Sequence, residues 1–331
     1  MKASIVLPNL NGAGWLEGCI ESLYAQTEQD FELIVVDNGS SDESLATARS
    51  YRGRPGYTLL ENAENTGFSA AVNQGIRLAR APFVLLFNND AFAEPEMLAR
   101  LLAAMEKNEK IFSVQCLMLR HFEPGKVDDA GDYMSLIGWA FKRGDGLSEA
   151  RYQKPGRVFS ACGGAALYRK AILDEIGLFE EHFFAYLEDV DIGWRANNLG
   201  YRNEFCPAAR CSHICGATTS GTTGAKYNNF KSVQSGRNNL LLPYKNMPLG
   251  MLLLNLVFLL PGYLVKTLVF HLRGFGKPWR QGMREAFALF GKLQKPPFRF
   301  KNLPHYLWVE ASMVAGLFGY IVYRVRRLLK Q

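Results

Sequence analysis

Along the first part of the chain, apolar residues come in short unbroken runs, and each run stops at a cluster of amides, carboxylates or hydroxyls. ASIVLPNLN reads as a strand ending at Pro8, and FELIVVDNGS, YTLLEN and FVLLFNND read as three more. Unbroken runs of this length fit strands buried on both faces of a sheet. Between them, WLEGCIESLYAQ has helical spacing at Leu16, Cys19, Ile20, Leu23 and Tyr24, SLATARSY makes a short helix, and FSAAVNQGIRLAR a longer one. The alternation predicts an α/β fold with a mostly parallel sheet flanked by helices on both faces. Ligands of such sheets lie beyond the carboxyl ends of the strands. The residues there are Asn9 and Asn11, then Asp37, Asn38 and Asp42, then Asn65, then Asn88, Asn89 and Asp90. All are expected on one rim. Farther on, FSACGGAALYRKAILDEIGLFEEHFF supplies Gly163 and Gly164, which permit close backbone approach, and then an amphipathic helix containing Ile172 and Ile176. GATTSGTTGAKYNNF is too rich in Gly and Thr for a stable helix and is expected to act as a lid.

Charge divides the chain where the pattern changes. The whole carries +7, yet from Lys245 onward fourteen Lys and Arg meet only Glu285 and Glu310, so this tail carries +12 and the preceding residues −5. A mildly acidic body, residues 1–245, is therefore expected to precede a basic, apolar, helical region, residues 246–331. Within that region residues 247–272 are long enough to cross a bilayer, and residues 306–323 are borderline. Basic charge with long apolar runs points to an anionic membrane surface rather than nucleic acid. The segment between the runs holds Arg273, Lys277, Arg280, Arg284, Lys292, Lys295, Arg299 and Lys301 against Glu285, which opposes a two-span hairpin with that loop outside the cytosol. Helices lying in the cytoplasmic leaflet are expected instead; the alternatives are a buried helical subdomain or a homo-oligomer interface. The opening MKASIVLPNLNG is too soon broken by Pro8 to be a signal peptide, so six cysteines read as reduced thiols. Cys206, Cys211, His213 and Cys215 cluster, but their spacing departs from the common zinc patterns.

The rim residues narrow the chemistry. Gly12 and Gly14 supply the first pair of a G-x-G-x-x-G turn, but position 17 is Glu17, which removes the simplest hydride-transfer reading. A carboxylate such as Asp37 suits a base N–H or ribose hydroxyl, and Asp90 with its amide neighbours suits a divalent cation, Mg²⁺ or Mn²⁺, bound to phosphates. Together they describe a nucleoside diphosphate lying across the sheet's edge. In EDVDIGWRA, helical spacing puts Glu188, Asp191 and Arg195 on one face, so Arg195 can pair with Asp191 while Asp189 points elsewhere. Taken singly, each of these residues also reads as turn, cap or solvated-face chemistry; their order along one rim favours a ligand.

The motifs IVLPNLNGAGWLEGCIESLYAQT, LIVVDNGSSDES, NTGFSAAVNQGI, FNND and FAYLEDVDIGWRA resemble, in order and spacing, those of the family 2 inverting glycosyltransferases with the GT-A fold, particularly the bacterial rhamnosyltransferase and galactofuranosyltransferase-like branch. The resemblance implies transfer of a sugar from a nucleotide-diphosphate sugar to an acceptor hydroxyl. It puts nucleotide-sugar contacts on Pro8, Asn9, Asn11, Asp37, Asn65, Gly67, Asn73, Asn88 and Asn89, with Gly163 and Gly164 bordering the donor sugar and acceptor. It puts the metal on Asp90, in a motif whose usual first Asp is here Asn88, and on His213. By motif position Asp189 is the catalytic base, Glu188 orients the acceptor and Trp194 walls the site, while Arg237 holds a donor or lipid diphosphate or makes a surface salt bridge.

The reading that follows is a hexosyltransferase, of rhamnose or another hexose, acting at the cytoplasmic face of the inner membrane on a polyprenyl-diphosphate-linked glycan for a surface polysaccharide. A nucleotidyltransferase would need a basic phosphate-gripping loop after the first strand, and PNLNGAGWLEG has no Lys or Arg. A non-catalytic sugar-nucleotide-binding scaffold would have lost the base, and Asp189 is present.

Overall fold

The computed structural model describes residues 1–214 and 228–328. Cys215 and most of the expected lid lie outside them. The first half alternates as its sequence predicts: β1 (Ala3–Asn9), α1 (Leu16–Tyr24), β2 (Phe31–Asp37), α2 (Ser44–Ser50), β3 (Tyr57–Glu61), α3 (Phe68–Leu78) and β4 (Phe83–Phe87). These four strands are parallel in the order β3-β2-β1-β4. The chain thus builds outward from β1 on one side, then returns to its other side. That reversal opens a crevice between the carboxyl ends of β1 and β4.

The sheet continues past β4 with strands of both directions. After β5 (Ala91–Ala93) and α4 (Met97–Met105) come β6 (Ile111–Arg120), β7 (Val127–Asp129), the hairpin β8 (Asp132–Met134) and β9 (Ala140–Lys142), β10 (Gly156–Val158), β11 (Ala165–Arg169), α5 (Lys170–Ile176), α6 (Glu188–Asn198) and β12 (Arg202–His213). β11 inserts antiparallel between β4 and β6, and β12 runs parallel to β6. β12 reaches back past the sheet edge to pair with β5, so His213 faces Ala91. Side chains alternate between two cores: Ile5 and Leu7 pack with α1 and α4, and Val6 packs with α3, α5 and α6. Each fully buried side chain of this kind contributes about 1.5–3 kcal/mol.

Among the described residues, four α-helices follow: α7 (Asn229–Asn246), α8 (Leu249–Leu272), α9 (Gly276–Leu289) and α10 (Leu303–Leu328). Leu241, Leu242, Leu259 and Met313 from this region share a third core with Met134, Phe159, Phe183 and Trp194 of the body. Polar contacts fix the two longest helices lengthwise against it. Leu136 N donates to Met313 O at 3.0 Å and Trp139 Nε1 to Gly262 O at 3.2 Å. Asn239 receives Tyr263 Oη and Lys266 Nζ at 2.8 and 2.6 Å. α8 runs unbroken through Pro261, and Lys266 turns inward between Trp139 and Trp279. The outward faces are apolar: among the described residues, every exposed large hydrophobic side chain except Met1, Leu78 and Phe122 belongs to this region. By length and composition α8 and residues 300–325 are two helices that could cross a membrane.

Candidate active site

The crevice is stitched together by amides. Asn9, at the end of β1, donates Nδ2 to Asp37 Oδ2 at 2.7 Å and to Ser44 Oγ at 3.0 Å, while its Oδ1 accepts Asn89 Nδ2 at 2.7 Å. One buried residue thus ties the ends of β1, β2 and β4 across the point where the strand order reverses. Gly12 lies over this knot. A Cβ there would sit 2.4 Å from Asn89 Nδ2 and 2.6 Å from Asn9 Oδ1, so any side chain must displace one of these two hydrogen-bonded amides. Next to it, Asn11 adopts φ +51 and accepts Ser41 N at 2.8 Å, and Asp42 accepts Ala13 N at 2.9 Å. The loop after β1 is thereby sewn to the loop after β2, with partly exposed Pro8 at its root.

Asn38, on the expected rim but without a contact assigned to it, organises the third side. Its Nδ2 donates to Asn65 Oδ1 and Gly67 O, and its Oδ1 accepts Asn62 Nδ2 and the Thr66 N–H. Gly67 has φ +90, and a Cβ on it would meet the Phe184 ring at 2.6 Å. Asn73 differs from the expectation. Both ends of its amide are tied to Phe179, whose O accepts at 2.8 Å and whose N donates at 3.0 Å, so it anchors the segment before α6 instead of lining the nucleotide crevice.

Opposite lies the acid helix. Asp189, partly buried at the start of α6, accepts Gly163 N at 3.2 Å and Val190 N at 2.8 Å. One residue on, Gly164 O accepts Asn88 N at 2.9 Å. The Gly163–Gly164 turn therefore bridges from the end of β4 to the carboxylate, and a Cβ at Gly164 would approach Asn88 Nδ2 at 3.1 Å. Burial raises the Asp189 carboxyl above its ordinary value, only partly offset by the two N–H donors. A raised carboxyl is the better proton acceptor, the property a general base needs.

Asp191 has a structural task. It is fully buried and accepts Arg195 Nε at 3.0 Å, Lys245 Nζ at 3.0 Å and Asn246 Nδ2 at 2.8 Å. Arg195 also donates to the carbonyls of Ile176, Gly177 and Leu178. The expected Arg195–Asp191 pair is present, as an interior clamp. Glu188 is 6% exposed with Oε2 unpartnered, and burial drives its carboxyl well up. Trp194, expected as a wall of the cleft, is 1% exposed and packs edge-on against Phe159 in the third core. Arg237 donates to Phe183 O at 2.8 Å and meets Glu285 at 3.5 Å. With Asn238, which donates to the carbonyls of Phe183, Ala185 and Tyr186, it holds the segment leading into α6, where Phe184, Tyr186 and Leu187 all take positive φ. Such strain persists only when neighbours over-determine it.

Where a cation is expected, Asp90 meets His213, whose Nε2 lies 3.0 Å from Asp90 Oδ1 yet has no partner in hydrogen-bond alignment. Its Nδ1 lies 2.8 Å from Asp128 Oδ2, a residue of β7 that no local sequence pattern singles out. Among the described residues no group of three or more His, Cys, Asp or Glu is arranged to hold a metal ion. An orphaned buried nitrogen beside a carboxylate could give two ligands to a divalent transition-metal cation such as Mn²⁺, with the rest from diphosphate oxygens and water. Cys211 faces Cys116 at 3.5 Å and Cys206 faces Arg100 O, so neither converges with His213.

A switch-point crevice lined by amides and carboxylates, with an acid helix across a glycine turn, marks a GT-A-like α/β fold. Residues 4–177 match the Glycosyl transferase family 2 profile, and the chain belongs to that family. It is 36% identical over 108 residues to a PGL/p-HBAD biosynthesis glycosyltransferase of Mycobacterium bovis (strain BCG / Pasteur 1173P2), covering 32% of this chain and 42% of that one. Over 221 residues it is 23% identical to the poly-beta-1,6-N-acetyl-D-glucosamine synthase of Staphylococcus aureus (strain MSSA476), covering 66% and 51%. The chain thus spans about half or less of the length of these curated relatives. Among solved structures, GalNAc-T7 with UDP, GalNAc and Mn²⁺ shares the fold at a TM-score of 0.60 and 16% identity, over 74% of this chain and 48% of that one.

Proposed function

We propose that residues 1–245 form a metal-dependent inverting glycosyltransferase that moves rhamnose or another hexose, in the manner of the rhamnosyl and galactofuranosyl branch, from a nucleotide-diphosphate sugar to a hydroxyl of a polyprenyl-diphosphate-linked glycan. The observation that carries the reading is the Gly163–Gly164 turn, which bonds to the β4 end through Asn88 and to the Asp189 carboxylate on its other side. Asp37, Asn65 and Gly67 would receive the nucleoside, and the diphosphate would reach Asp90 and His213. Bound there, a divalent cation would offset charge on the departing diphosphate. Asp189 takes the proton of the acceptor hydroxyl as its oxygen bonds to the anomeric carbon, and the bond from that carbon to the diphosphate breaks on the opposite face. The basic, apolar helices would hold the enzyme on the cytoplasmic leaflet, where a lipid-linked acceptor is found. The test is a panel of nucleotide sugars with Mg²⁺ or Mn²⁺, reading nucleoside diphosphate release with and without a short polyprenyl-diphosphate acceptor. One donor should be turned over in an acceptor-dependent way; metal-independent release, or none with any donor, would reject the proposal.

A further inference from the structure

Both nitrogens of the His213 ring face carboxylates, and the two come from different parts of the sheet. Asp90 follows β4 and Asp128 lies on β7, eighty-five residues from His213 in the chain. The His213, Asp90 and Asp128 side chains are 8%, 6% and 1% exposed, so the alignment is built into the interior. Asp128 is engaged a second time, by Lys142, whose Nζ lies 3.1 Å from each of its oxygens.

We propose that Asp128 is the positioning residue of the cation site. It holds the His213 ring so that Nε2 points at a cation shared with Asp90, an inference that rests on the transferase reading above. An imidazole tied to an acceptor through Nδ1 keeps its proton there and presents the Nε2 lone pair. Metal-binding histidines are commonly oriented in this way by a carboxylate behind the ring. Asp128 is not itself a ligand, because the imidazole stands between it and Asp90 and its oxygens already accept His213 and Lys142. Lys142 offsets the charge that Asp128 would otherwise add to a crowded site, which also contains Asp129 on the same short strand. An apolar side chain would pin a three-residue strand at a lower desolvation cost, so a carboxylate here suits the orientation of a ligand better than the support of a strand.

The test uses the full chain and Mn²⁺, with free Mn²⁺ followed by electron paramagnetic resonance in the presence of nucleoside diphosphate. Asp128→Asn should weaken Mn²⁺ binding roughly 10- to 100-fold, with its melting temperature in the absence of Mn²⁺ used to establish folding. His213→Ala should lose a similar factor. The double variant should bind no more weakly than His213→Ala alone, because Asp128 acts only through the ring. Should Asp128→Asn fail to fold, Asp128→Ser, whose hydroxyl is too short to reach Nδ1, carries the same expectation. Wild-type Mn²⁺ affinity in the folded Asp128 variants, with His213→Ala impaired, would overturn the positioning role and leave the metal reading standing. Losses that add in the double variant would also overturn it. Unchanged affinity in His213→Ala and Asp90→Ala would defeat the metal reading itself.

Discussion

Replacing Asp191 with Asn probes how the acid helix is held. The native carboxylate is 0% exposed and faces two cations, Arg195 and Lys245, that are themselves 6% and 5% exposed. Removing one partner of a buried ion pair costs about 3–5 kcal/mol, because the remaining charge stays desolvated. Here the loss falls near the lower end. Arg195 keeps three carbonyl acceptors at 2.7–2.8 Å and Lys245 keeps Glu180 at 2.9 Å. About 3 kcal/mol corresponds to a fall in melting temperature of about 4 °C for a chain of 331 residues, whose unfolding entropy is about 0.7 kcal/mol/K. The effect has a pH signature. Burial alone would raise the Asp191 carboxyl, but Lys245 and Arg195 hold it below the ordinary value. Its folded-state pKa is therefore depressed, and the stability it contributes is present above the unfolded value of about 3.9 and lost as pH falls through the folded one. Calorimetric melts of both proteins at neutral pH and in acid measure the difference. A neutral-pH difference under about 2 °C, or a gap that stays constant in acid, would show that the Asp191 carboxylate does not clamp Arg195 and Lys245.

Three further outcomes follow from the same geometry. Gly12→Ala should break the Asn9–Asn89 hydrogen bond by steric overlap and cost about 1–3 kcal/mol, read as weaker nucleotide binding together with a lower melting temperature; wild-type values would mean the loop yields freely. Since burial raises the Asp189 carboxyl, kcat/KM should climb with pH through an acid limb lying above the ordinary carboxylate range of about 3.9, and a limb at or below it would exclude Asp189 as the titrating base. The apolar outer faces of α8 and α10 beside a +12 tail should bind the full chain to anionic vesicles more tightly than to neutral ones, with added salt narrowing the gap; equal binding to both would remove the electrostatic contribution.

The parallel half of the sheet was legible because its strands are buried on both faces and its polar residues collect at their carboxyl ends. Asn9, Asp37, Asn65 and Asn88 to Asp90 all fall on the rim that the apolar runs dictate. The strands beyond β4 gave weaker signals. β12 alternates buried and partly exposed residues, but the buried ones include Asn203, Pro207, Ala209, Cys211 and His213, so its cysteines and histidine drew attention to metal spacing rather than to strand period. Asp128 could not have been found locally, since VDD is a three-residue strand and the histidine that Asp128 meets lies eighty-five residues away. Trp194 and Asp191 sit on a helix whose cleft-facing and interior sides are both polar, and helical spacing alone could not say which side faces the ligand. Asn73 was placed by motif position, whereas its amide is spent on the Phe179 backbone.

If the enzyme works as proposed, the Asp90–His213 pair and the Asp189 carboxylate open into one crevice. A crystal structure with Mn²⁺ and a nucleoside diphosphate tests it most directly. Anomalous density for Mn²⁺ should touch Asp90, His213 Nε2 and the diphosphate, with the terminal phosphate open toward Asp189 past the Gly163–Gly164 turn. Mn²⁺ bound elsewhere, or protein standing between the diphosphate and Asp189, would contradict it.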